Sequence, residues 1–90
     1  MRVVHLRQVL AGPKRFLFVI WDATNGKFVE GIEWVVIATD NHTLMRARLE
    51  GAVNFFSSQQ CVGISSDAGQ ILERYGVPPP SGWKVYSTAK

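Results

Sequence analysis

Apolar and polar positions divide the chain into a strand-rich first half and a helix-bearing second half. From Val3 to Leu10 they alternate. Val4, Leu6 and Leu10 point one way with Gln8 among them, while His5 and Arg7 point the other way, flanked by Val3 and Val9. That is the period of a strand with one wetter face. Gly12-Pro13 supplies a turn, and Arg15 to Asp22, reading RFLFVIWD, forms a second strand. Asn25-Gly26 then predicts a two-residue hairpin of type I′, because both residues tolerate positive φ. A third strand follows, interrupted by Gly31.

Regular pairing across that hairpin sets Phe18 against Glu33, an acid against an aromatic row. One extra residue at Gly31 moves the register by one. Ile20 then meets Ile32, Phe18 meets Trp34, and Phe16 meets Val36, giving one continuous apolar face. The opposite face of the same strands carries Leu17, Val19, Trp21, Val35 and Ile37, with Glu33 as its one charge. A single helix covers only one face of a sheet, so the second patch needs another cover. The C-terminal segment from Trp83 to Tyr86, a second copy of the chain, or a different partner are the alternatives, with a homodimer expected.

Ile32 to Thr39 is a β-branched apolar run that leads into Asp40-Asn41-His42-Thr43, whose short polar side chains suit a helix cap. A helix of roughly four turns begins near Leu44. On a helical wheel, Met45, Leu49, Ala52, Val53, Phe55 and Phe56 share one arc with Leu44 at its edge, and Arg46, Glu50, Asn54 and Ser57 lie opposite. Arg48 projects inside the apolar arc. Its stem can lie along apolar surface while the guanidinium reaches water, or it can grip a carboxylate of a partner.

After Gln60 comes a short apolar fragment, Cys61 to Ile64, and then a second helix. Asp67 with Gln70 suggests its capping box, Ile71, Leu72 and Tyr75 its apolar stripe, and Gly76 with Val77-Pro78 its stop. Pro78-Pro79-Pro80 is a stiff lead-in to a final strand, Trp83 to Ser87. The pattern therefore predicts one α+β domain over residues 1–90. Its sheet is antiparallel, of three to four strands, with one long helix across one face and a short second helix. Phe16, Phe18, Ile20, Trp34, Val36, Leu49, Ala52 and Phe56 form its core.

Composition narrows the function classes. An apolar fraction of 47% with 19% charged residues is that of a folded protein. No apolar run reaches the roughly 18 residues of a membrane span, and the polar His5, Arg7 and Gln8 argue against a signal peptide. The single cysteine, Cys61, cannot close an internal disulfide, which favours the cytoplasm. A net charge of +3 is mildly basic and spread without runs. His5, His42, Asp40 and Cys61 lack close metal-ligand spacing, and no phosphate loop or nucleophile motif is present. The expectation is a protein without enzymatic activity, cofactor, metal or membrane contact.

Two resemblances bear on function. Three antiparallel strands followed by a helix, over Val3 to Ser58, resemble the arm-binding domain of tyrosine integrases and the plant AP2 domain. Those sheets read DNA with arginines and polar side chains, and the counterpart here is apolar, a face better suited to protein. Arg2, Arg7, Lys14 and Arg15 around the first hairpin are the candidate cations for a DNA- or RNA-binding alternative. In size and layout the whole chain resembles small phage-encoded inhibitors of the anti-CRISPR type. That resemblance implies a binding protein that inhibits or adapts a larger protein or nucleoprotein complex by occluding a surface. The candidate contact residues are Leu17, Val19, Trp21, Val35, Ile37 and Arg48.

Overall fold

A computed structural model describes residues 1–11, 15–35 and 42–87. In chain order the elements are strands β1 (Arg2–Leu10), β2 (Arg15–Asp22) and β3 (Lys27–Val35), helix α1 (His42–Ser58), strand β4 (Cys61–Ser65), helix α2 (Ser66–Arg74) and strand β5 (Lys84–Tyr86). Among the described residues the five strands form one sheet in the order β3-β2-β1-β4-β5. The β1/β2 and β2/β3 pairs are antiparallel, and β1/β4 and β4/β5 are parallel.

This overturns the expected antiparallel sheet of three to four strands with one long helix. The difference lies in Cys61–Ser65, a fragment too short for its periodicity to identify it. It becomes a strand because β1 has an unpaired edge there: Val3 pairs with Gly63 and Val4 with Ile64. Val62 bulges out of the ladder and is exposed, so Cys61 and Ile64 both face the core despite their odd spacing. α2 then carries the chain over the sheet to β5, the crossover that parallel strands require.

The β2/β3 hairpin differs from its expected form in three ways. The turn spans Ala23 to Gly26, and only Gly26 takes positive φ (65°) there. Asp22 accounts for the longer loop. Its carboxylate accepts the amides of Thr24 at 3.0 Å and Asn25 at 3.4 Å and the Asn25 side-chain amide at 2.7 Å, while its carbonyl accepts from Gly26 at 2.8 Å. The bulge falls at Val29, between the Ile20↔Glu30 and Trp21↔Phe28 pairs, not at Gly31. Consequently Phe18 meets Ile32 and Phe16 meets Trp34, two residues from the expected partners but on the same faces.

Both helices pack on one side of the sheet. Val4, Phe18, Ile20 and Ile64 from the strands share a core with Leu49, Ala52 and Phe56 of α1 and Ala68, Ile71 and Leu72 of α2. Phe18 meets Phe56 edge-on, ring centroids 6.5 Å apart. Phe16 and Trp34 are half-buried at the margin of this core. Val36 and the Gly12-Pro13 turn lie outside the described residues, as do Asp40 and Asn41 of the expected α1 cap. The α2 cap is Ser65, not Asp67: the Ser65 hydroxyl accepts the Ala68 amide at 3.3 Å, and Asp67 sits in the first turn. At the other end of α1, Gln60 takes φ 57° and closes the helix. Arg2 of β1 donates to the Gln59 carbonyl at 3.2 Å, a cation where the helix has exposed carbonyls.

Candidate functional site

The sheet face away from the helices holds Val3, His5, Leu17, Val19, Trp21, Gly31 and Glu33, set side by side by the register. The Val29 bulge adds Phe28 to this face, opposite Trp21. Their rings meet at a 64° angle with centroids 4.8 Å apart. Arg7 is the extra residue of a second bulge, between the Leu6↔Phe18 and Gln8↔Leu17 pairs. Freed from the ladder, its side chain reaches across β2 and places the guanidinium 4.6 Å above the Phe28 ring centroid.

Val19 is only 7% exposed on this face, with no helix above it. In register it lies between His5 and Gly31, where glycine leaves the space a side chain would fill. A Cβ at Gly31 would stand 3.0 Å from the Val19 Cγ1. Further along, Val3 sits between Trp21 and Gly63, and the Tyr86 ring packs against Gly63. His5, Leu6, Arg7, Trp21 and Phe28 line an open cleft of about 400 Å³. Partial burial lowers the His5 imidazole below its ordinary pKa, which favours the neutral ring.

The expected contact residues are only partly brought together. Leu17, Val19 and Trp21 share the open face, though Val19 serves as its floor. Ile37 and the side chain of Val35 lie outside the described residues. Arg48 is exposed on α1, in the layer across the sheet from Trp21, and belongs to a different surface. The candidate cations separate as well. Arg2 caps α1, while Arg15 pairs with Glu33 and donates to the Ala11 carbonyl at 2.8 Å. Lys14 lies outside the described residues, and Arg7 is in the cleft.

Sequence reasoning missed His5, Arg7 and Phe28 as members of the apolar face. The alternation did put His5 and Arg7 on one side of β1, but nothing local said that this side adjoins Trp21. Phe28 changes sides through a bulge that the sequence pattern places elsewhere. Among the described residues, no helix is long and apolar enough to cross a membrane. Comparison with protein-family models, with curated proteins and with solved structures finds no match to this chain.

Proposed function

We propose that the protein is a non-enzymatic binding protein that inhibits or adapts a larger assembly by covering part of its surface, with the open sheet face as the contact side. The observation that carries this reading is the Trp21–Phe28 corner, with Phe28 41% exposed, on a face that neither helix covers. Aromatic and arginine side chains held on a rigid frame supply most of the energy of protein association. Here the frame is the paired ladder of β2 and the outer strand β3. A buried free thiol at Cys61 suits a reducing compartment such as the cytoplasm. The layout resembling small phage-encoded inhibitors of the anti-CRISPR type agrees with an occluding role. Binding of nucleic acid through the first hairpin has less support, because Arg2 and Arg15 are committed to contacts within the fold.

The test compares wild type with Phe28→Ser, an exposed position at which folding should be kept. Both are immobilised and used to capture partners from a host extract, with sedimentation run alongside. Capture of a defined protein by wild type and its loss in the variant supports the reading. Equal capture by both overturns it. Concentration-dependent dimers abolished by Phe28→Ser assign the face to a second copy of the chain. Strong, salt-sensitive heparin retention lost on Arg7→Gln moves the assignment to nucleic acid.

A further inference from the structure

The cleft also indicates what kind of group its partner offers, an inference that rests on the protein-binding reading above. We propose that the cleft receives an acidic peptide segment of a protein partner, a carboxylate held by Arg7 beside an apolar side chain packed on Trp21 and Phe28.

Arg7 differs in how it is satisfied from the arginines on either side of it along the first two strands. Arg2 donates to the Gln59 carbonyl, and Arg15 pairs with Glu33. Arg7 meets no carboxylate among the described residues; its contact is the face of Phe28. Held over a ring, the guanidinium keeps its N–H donors for another acceptor. It is prepared to take a carboxylate through two parallel hydrogen bonds. His5 on the cleft wall, as a neutral ring, offers one further donor and one acceptor.

The remaining lining selects a peptide over a polyanion. Trp21 and Phe28 are apolar, and a volume of about 400 Å³ admits one or two side chains. Arg7 is the one cation on the cleft wall. A phosphate chain, which binds through several cations, would find a single anchor. Base stacking is disfavoured too, since Arg7 already covers a face of Phe28 and Trp21 meets that ring at an angle.

The test is an NMR titration of the ¹⁵N-labelled full chain, following the Trp21 indole N–H and the Arg7 Nε–H. The probes are the capped tripeptide acetyl-Leu-Glu-Phe-amide, its twin with Gln in place of Glu, and a short oligothymidylate. The acidic peptide should shift both signals and bind about tenfold tighter than the twin, the size of a charge-assisted contact. Arg7→Gln, at an exposed site, should remove that difference while keeping the wild-type melting temperature. Equal binding of the two peptides overturns the acidic preference. Larger shifts from the oligothymidylate than from the acidic peptide overturn it in favour of nucleic acid. If the peptides bind equally while Phe28→Ser still abolishes capture from extract, the binding face stands and only its carboxylate preference falls. Loss of both results removes the face as well.

Discussion

Ser65 accepts the backbone amide of Leu6 at 3.4 Å, tying the cap of α2 to the point where β1 bulges. The same oxygen takes the Ala68 amide, and the side chain is fully buried. Ser65→Ala therefore strands two amides, one of them in the interior. It should cost about 1–3 kcal/mol, the range for a lost cap with an unsatisfied buried donor. Urea unfolding measures it, and a loss below about 0.5 kcal/mol would show that water replaces the hydroxyl.

Gly63 leaves no room for a side chain. A Cβ there would lie 2.3 Å from Tyr86 Cε2 and 2.7 Å from the Lys84 carbonyl oxygen. The ring can turn away, but the carbonyl belongs to the β4/β5 ladder and cannot move alone. Gly63→Ala should destabilise by about 1–3 kcal/mol. Adding Tyr86→Ala should recover only part of the loss, as a double-mutant cycle in thermal unfolding will show.

Phe18 and Trp34 were equal members of the expected core, and the structure separates them. Phe18 is 1% exposed and packs edge-on against Phe56, whereas Trp34 sits half-open on the outer strand β3. Phe18→Ala should cost about 3–5 kcal/mol. Trp34→Ala should cost less, about 1–3 kcal/mol, because less surface leaves water on folding. Equal losses in chemical denaturation would contradict this placement.

Two groups link stability to pH in the same direction. The Asn25 side-chain hydrogen bond holds the Asp22 carboxyl below its ordinary value, aided by the Asn25 and Thr24 amides against an opposing desolvation cost. Burial lowers His5. In each case the unfolded chain binds the proton more readily. The stabilisation is thus complete above the unfolded pKa, about 6.5 for His and about 4 for Asp, and is lost as pH falls through the lower folded value. The melting temperature should decline from about pH 6.5 downward and again below about pH 4. His5→Gln should flatten the first decline and Asp22→Asn the second. A wild-type melting temperature that stays constant from about pH 7 to 5 rules out the His5 contribution.

The parts of this fold legible in the sequence are those fixed by neighbours along the chain. Alternation in β2 and in β1 as far as Leu6, and the apolar arc Leu49-Ala52-Phe56, place those residues as the structure does, whereas the Arg7 bulge reverses the sides of Gln8, Val9 and Leu10. The Trp21 patch was visible because residue parity survives an error of two in register. What escaped depends on distant partners or on one side chain overriding a local preference. Asp22 can satisfy three donors of a longer loop, and this defeats the two-residue turn that Asn25-Gly26 favours. β4 exists because of β1, and the cleft exists because two bulges aim Arg7 and Phe28 at each other.

The central position of β1 has a consequence for how the molecule is made. Arg2 pairs with Cys61, and the run of partners continues to Val4 and Ile64. During synthesis, hairpins β1–β2–β3 and helix α1 leave the ribosome while one edge of β1 still lacks its ladder. That edge holds Val3 and Val4, later among the most protected residues, and until then it is a template for any other extended chain. Local contacts alone cannot close the sheet, so folding waits on long-range pairing and should be slow for a chain of this length. Fragments ending at Ser58 should aggregate rather than fold, and β4–α2–β5 supplied as a separate peptide should rescue them by completing the missing edge.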